Sequence, residues 1–252
     1  MASASTAPKA LSDSQRPTLL LLPGLTCDAA TWAAQQAALS DIADTRVPPW
    51  GLLNSLVDMA RHALTWSDSP KLWVAGHSMG GRVALEMWRL APERIAGLAL
   101  LDTGYQAKPT GRDGEAEQRN RLNLLRIAKR DGMRAMAQQW ARGMVHKPHQ
   151  DGPIWEAVLD MLARSSPDQY EAQIHALLQR PDCSDLLPTI GCPTLLLCGE
   201  HDSWSPPQRH RDMATMIAHA HVVEIPNAGH MSPMEQPEAV TAALRAWLLT
   251  GA

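Results

Sequence analysis

Short aliphatic runs punctuate the chain, each closed by a glycine, a proline or an aspartate. They fall at 18–22, 71–75, 95–101, 194–198 and 221–225, with a weaker one at 43–47 before Pro48-Pro49. The runs are continuous rather than alternating, which predicts strands buried on both faces, as in a parallel sheet. Between them apolar residues recur at helical spacing. Val83, Ala84, Met87, Trp88 and Ala91 follow the second run. Val240, Leu244, Trp247 and Leu248 form a stripe after Pro237, a residue suited to the first position of a helix. A helix over 29–39 has Thr26 and Asp28 as candidate caps. Strands alternating with helices predict an α/β fold built on a parallel sheet.

One connection breaks this rhythm. Between Asp102 and Pro193 about 90 residues carry no convincing strand, whereas connections in α/β units run roughly 2–6 residues. Helical spacing is present instead over 115–129, 133–142, 154–163 and 167–179, with Tyr170, Ile174, Leu177 and Leu178 as the clearest stripe. This predicts a helical insert at 106–187 within a core made of 17–105 and 188–252. Residues 1–16 are polar and rich in Ala and Ser. They lack the apolar stretch of a signal peptide and read as a disordered tail on a cytoplasmic protein. No apolar run approaches the length of a membrane span.

Composition narrows the picture. At 252 residues and 45% hydrophobic content, the chain can bury a core without disulfides or structural metal. A net charge of -3 with nearly balanced signs excludes the basic stripe of a nucleic-acid binder and points to a small-molecule partner. Cys27, Cys183, Cys192 and Cys198 show no C-x-x-C spacing, which fits a reducing compartment. Cys198, inside an apolar run, reads as a small buried hydrophobe. There is no Phe, against 9 Trp and 12 Met, so aliphatics, Met and Trp must fill the interior.

The strongest chemical signal is Gly76-His77-Ser78-Met79-Gly80-Gly81. It is a G-x-S-x-G pattern placed after a strand and before an amphipathic helix, the setting of a nucleophile elbow. Serine needs a base to take its proton. His230 is the best placed of ten histidines: it follows the last predicted strand, so its loop faces the same sheet edge as Ser78. His62, His175, His210 and His219 fall on predicted helices, and His77 is the variable position of the elbow. His146 and His149 form an H-x-x-H without a third ligand nearby in sequence, a weak metal signal. The base needs a carboxylate to orient it. Strand order favours Asp202, whose strand directly precedes the one leading to His230, over Asp102 and Glu200. Asp102 has a second reading as a cap where the chain turns into the insert. By position, an oxyanion hole would use the backbone N–H of Met79 and of Leu25, in the Pro23-Gly24-Leu25-Thr26 loop after the first strand.

With these residues in place the sequence resembles α/β-hydrolase-fold serine hydrolases. The resemblance is carried by Leu22-Pro23-Gly24-Leu25, by 76–81, by Gly199-Glu200-His201-Asp202 with Pro206 after it, and by Gly229-His230 followed by Glu235 and Pro237. Among them it is similar to small capped bacterial carboxylesterases and enol-lactone hydrolases. The resemblance implies Ser78, Asp202 and His230 as nucleophile, acid and base, and the insert as a cap over the site. The expected reaction is cleavage of a small ester, lactone or thioester through an acyl-enzyme, with no cofactor or metal. The alternatives are hydrolysis of a C–C bond by the same triad and sensing of a small ligand on a hydrolase-like scaffold. Trp140, Met144 and Trp155 are candidate substrate-binding residues of the cap. The chain departs from the family pattern in three ways. Pro23 replaces the usual His of the oxyanion loop. The usual Asp-x-x-Gly-x-Gly stretch is replaced by Pro48-Pro49-Trp50-Gly51. Too few residues precede the first strand for the customary hairpin, so the core is expected to hold six strands, all parallel.

Overall fold

The computed structural model describes residues 16–251. The tail expected at 1–16 therefore lies, apart from Arg16, outside the described residues. Six strands form one parallel sheet in the order β2-β1-β3-β4-β5-β6. They are β1 Thr18–Leu22, β2 Asp44–Arg46, β3 Leu72–His77, β4 Ile95–Leu101, β5 Thr194–Gly199 and β6 Ala220–Ile225. The four central strands are the continuous aliphatic runs, buried along almost their whole length. The two edge strands are only partly covered, which explains why their sequences carry polar residues and why the run at 43–47 is weak.

Period-two alternation divides β1 between two cores. Leu20 and Leu22 join Val74, Leu98, Leu100 and Leu196 on one face, under α2 (Leu56–Leu64) and α3 (Met79–Leu90). Leu19 and Leu21 join Ala75, Ala99, Leu101 and Leu197 on the other, under α1 (Ala33–Leu39) and α10 (Pro237–Leu248). Indoles take much of the volume that Phe would fill elsewhere. Trp73 and Trp247 meet edge to face with centroids 4.7 Å apart. Gly97 makes room for them, since a Cβ there would stand 2.5 Å from the Trp73 ring.

The helix expected over 29–39 is a 3-10 turn, Ala29–Trp32, running into α1. Of its two candidate caps, Asp28 takes the role by accepting the Ala30 N–H at 2.8 Å. Between β4 and β5 the chain forms α4 (Gly111–Asp131), α5 (Met133–Trp140), α6 (Pro153–Ala163) and α7 (Pro167–Leu178). The two ends of this excursion are fastened together: Cys183 N–H donates to Tyr105 O at 2.9 Å, and Ala107 N–H to Asp182 Oδ2 at 3.1 Å. Ser166 and Gln169 form a reciprocal capping box at the start of α7. After β5 come α8 (Pro207–Ala214) and, after β6, the short α9 (Ser232–Glu235). His219 is not helical; it lies in the turn before β6, because α8 ends at Ala214. No helix among the described residues is long and apolar enough to cross a membrane.

Candidate active site

β3 ends at His77 and α3 begins at Met79, so Ser78 alone makes the turn between them. Its backbone takes φ 54° and ψ -113°, a conformation costly for any residue with a side chain. The surrounding bonds hold it there. Ser78 N–H donates to Leu101 O at 2.8 Å, and Thr103 Oγ1 donates to Ser78 O at 2.6 Å. The flanking glycines are required by contact. A Cβ at Gly76 would lie 2.3 Å from Gly80 O, and one at Gly80 would lie 2.1 Å from Leu22 O. α3 thus packs so closely on β1 and β3 that only hydrogen fits, and the serine is lifted off the carboxyl edge of the sheet.

The loops after β5 and β6 bring two further groups to that edge. His230 Nε2 lies 2.8 Å from Ser78 Oγ, and His230 Nδ1 lies 2.8 Å from Asp202 Oδ2. Both bonds are satisfied when Nδ1–H donates to the carboxylate and the Ser78 hydroxyl donates to Nε2. The second carboxylate oxygen, Oδ1, accepts the N–H groups of Trp204 at 2.8 Å and Ser205 at 2.9 Å. Asp202 and His230 are almost wholly buried. Burial opposes ionisation of Asp202, but His230 and the two backbone donors outweigh it and hold the carboxyl below its usual range. Such a chain can pass the serine proton to the imidazole while the carboxylate steadies the resulting cation.

The rival acids are engaged elsewhere. Asp102 Oδ1 accepts Gly199 N–H at 2.8 Å, and Oδ2 accepts the Ser232 hydroxyl. Burial and the neighbouring Asp202 charge push its carboxyl well above the ordinary value. Glu200 is exposed, beside His201 at 3.6 Å. His77, the variable elbow position, is buried and donates from Nε2 to the His230 carbonyl at 2.7 Å. Burial and the adjacent His230 lower it to about 3, so it stays neutral.

The loop after β1 is anchored by two groups that carry no sequence motif. Trp50 Nε1 donates to Pro23 O at 3.0 Å, and Thr26 N–H donates to Gln173 Oε1 of α7 at 2.7 Å. The two departures at Pro23 and Trp50 thus meet in one bond. Met79 N–H, at the first position of α3, has no acceptor in the helix ladder. Leu25 N–H has none among the described residues.

Leu25, Ser78, Met79 and His230 border a cavity of about 530 Å³ roofed by α4 and α5. Trp140 lines it and stacks on Trp204, with centroids 5.5 Å apart. The other two expected binding residues are not in its wall. Met144 and Trp155 are buried in a separate apolar cluster with Val158, Leu159 and Met231. Both side chains pack the interior of the insert. Met144 contributes instead through its backbone, where its carbonyl accepts His230 N–H at 2.6 Å.

Glu235 is the residue that sequence reasoning left without a role. Its Oε1 accepts the N–H groups of Gly229 and Met231, both at 3.0 Å, on either side of His230. Its Oε2 accepts His146 N–H at 2.8 Å and His149 Nδ1–H at 3.1 Å. One buried carboxylate therefore ties the His230 loop to the insert, and it occupies His149 in a protein contact. Among the described residues no group of three or more His, Cys, Asp or Glu side chains is placed to hold a metal ion. The four cysteines are buried and free.

Comparison with known proteins agrees with this architecture. An esterase from Thermogutta terrifontis is 31% identical, with a TM-score of 0.81 over 94% of this chain and 92% of the other. The enol-lactonase from Burkholderia xenovorans LB400 shares the fold at 22% identity, with a TM-score of 0.80 and 94% of each chain covered. A 2-succinyl-6-hydroxy-2,4-cyclohexadiene-1-carboxylate synthase from Citrobacter koseri is 26% identical over 81% of this chain and 77% of its own length. The sequence pattern of the alpha/beta hydrolase family matches residues 19–243. That match runs from the first strand to the last helix, and with it the protein belongs to the alpha/beta hydrolase family.

Proposed function

We propose that the protein is a serine hydrolase that cleaves a small carboxylic ester, lactone or thioester through an acyl-enzyme on Ser78. The observation that carries this reading is the continuous hydrogen-bonded chain Ser78–His230–Asp202, with both links at 2.8 Å. Ser78 Oγ attacks the carbonyl carbon while His230 Nε2 takes its proton. The carbonyl oxygen gains charge and is held by the N–H groups of Leu25 and Met79. Each such donor contributes about 10²–10³ in rate. His230 then gives the proton to the leaving oxygen or sulfur as the carbonyl bond re-forms. Water enters, His230 activates it in turn, and the acid product leaves Ser78 free.

In this scheme the insert at 106–187 acts as a cap, with Trp140 and Trp204 forming an apolar wall for the substrate. The similarity to an esterase at 31% identity supports the ester class. The test is a panel of activated esters, lactones and thioesters of graded acyl length, assayed with wild type and Ser78→Ala. Loss of the nucleophile should cut kcat by about 10⁶-fold. Near wild-type turnover by Ser78→Ala would remove Ser78 from the mechanism. Tight lactone binding without turnover by wild type would favour ligand sensing instead.

A further inference from the structure

The cavity beside Ser78 carries an uneven charge. Arg82, Arg121, Arg180 and Arg209 all line it. Glu117, from α4, serves two of them: Arg180 donates to it from Nη1 at 2.7 Å and Nη2 at 2.8 Å, and Arg121 from Nε at 2.9 Å. The other acid in the wall, Asp102, is kept toward its neutral form by burial. Arg82 and Arg209 are left with neutral acceptors. Arg82 Nη1 donates to Gln106 O at 2.8 Å, and Arg209 Nη1 donates to Trp204 O at 2.7 Å and to Ser205 Oγ at 3.4 Å. Neither has a carboxylate partner among the described residues.

These two guanidinium groups bear on a single point. A Cβ on Gly104 would stand 3.1 Å from Arg82 Nη2 and 3.3 Å from Arg209 Nη1. The lack of a side chain at Gly104 therefore lets both arginine side chains close in on its Cα, with Arg209 Cδ also 3.1 Å from that Cβ position, and brings the two cations together at the cavity wall. Arg82 sits four residues after Ser78 on α3, one turn along the same face, so the pair and the serine share one cavity. Burial and the charges of Arg180 and Arg209 lower Arg82 to about 9, which leaves it cationic at neutral pH. Like charges converging in a partly desolvated cleft repel each other, and an anion between them reverses that sign. A carboxylate matches the planar fork of guanidinium donors.

We propose that Arg82 and Arg209, facing each other over Gly104, form a carboxylate-binding subsite, and that the preferred substrates carry a second, free carboxylate beside the scissile ester, lactone or thioester. The substrate half of this statement rests on the hydrolase reading above; the anion subsite stands on its own geometry.

The test compares monomethyl succinate, glutarate and adipate with neutral methyl esters of matched length in which a methyl ketone replaces the free carboxylate, followed by pH-stat titration. Binding of free glutarate is read in parallel from the change in tryptophan fluorescence, Trp140 and Trp204 being the indoles that line the cavity. For the best chain length, kcat/KM of the anionic ester should exceed that of its neutral partner by roughly 10–100-fold, as expected for hydrogen bonds to a charged group. The ratio should fall as salt rises. Arg209→Gln and Gly104→Ala, one removing a charge and the other pushing the two arginine side chains apart, should each collapse it. Neutral esters cleaved as well as anionic ones, with a ratio unmoved in Arg209→Gln, would overturn the proposal. So would competition by inorganic phosphate with none by glutarate. If no ester of either kind is cleaved, the hydrolase reading fails on its own. Glutarate binding that disappears in Arg209→Gln would then still uphold the subsite, and absence of binding to wild type would refute it.

Discussion

Replacing Asp202 with asparagine tests the hydrogen-bond chain at its least obvious link. The substitution keeps shape and removes charge, so its effect depends on which way the new amide faces. Asp202 Oδ1 accepts two backbone donors, Trp204 N–H at 2.8 Å and Ser205 N–H at 2.9 Å. Only the amide oxygen can take that place. The amide nitrogen must then face His230 Nδ1, which lies 2.8 Å from Asp202 Oδ2. Since the amide nitrogen is a donor, Nδ1 must accept, and the imidazole proton moves to Nε2, where it points at Ser78. The base is then in the wrong tautomer to receive the serine proton. The corresponding substitution in a serine protease lowers kcat by about 10⁴-fold, or about 5.5 kcal/mol of transition-state stabilisation at 1.36 kcal/mol per tenfold. We expect a loss of that size in kcat for Asp202→Asn, measured by ester hydrolysis, with the fold intact by circular dichroism. A loss smaller than about tenfold would refute this reasoning, because the backbone donors would then not be fixing the amide.

Asp102→Asn should leave kcat close to wild type, since an asparagine there can still accept from Gly199 N–H and donate to Ser232. Its stability should change with pH in a defined direction. The folded-state carboxyl of Asp102 is raised above an unfolded value of about 3.9. Wild type therefore loses stability as pH rises from about 4 toward the raised value, and the variant does not. The Tm of Asp102→Asn minus that of wild type should widen toward neutral pH; a flat or narrowing gap by calorimetry would contradict this. Gly80→Ala places a methyl 2.1 Å from Leu22 O and should cost about 1–3 kcal/mol or more in urea unfolding. Glu235→Gln presents an NH₂ to buried donors on one side or the other, with an expected cost of about 1–3 kcal/mol and a lowered kcat through the loosened His230 loop. Unchanged stability would show that the Glu235 bonds to Gly229, Met231, His146 and His149 do not hold that loop.

What could be read from the chain, and what could not, divides by the range of the interaction. The elbow is legible because the strained serine turn forces glycine on either side of it, at 76 against Gly80 O and at 80 against Leu22 O, and the two fall four residues apart in one readable motif. The four central strands were legible because burial on both faces demands continuous aliphatics. The edge strand β2 is faint because partial exposure relaxes that demand, whereas the edge strand β6 keeps a readable run. Asp102 and Asp202 look alike in sequence, each following a strand. Strand order favours Asp202, and the structure shows why: Gly199 N–H and Ser232 take the oxygens of Asp102 while His230 takes Asp202. Met144 and Trp155 lie in a packed cluster rather than in the cavity wall, because a Met or Trp in the insert suits its core as well as it suits a pocket wall. Trp50, Gln173, the Glu235 bonds to His146 and His149, and the Arg82–Arg209 pair involve residues remote in sequence, and such partners leave no local trace.

The proposed mechanism makes Ser78 the nucleophile and His230 the base that activates it. Labelling with a fluorophosphonate, read by intact-protein and peptide mass spectrometry, tests it directly. If Ser78 is the nucleophile that His230 activates, one adduct forms per chain, on the peptide containing Ser78, absent in Ser78→Ala and formed far more slowly in His230→Ala. An adduct on another residue, or undiminished ester turnover by a fully labelled protein, would contradict it.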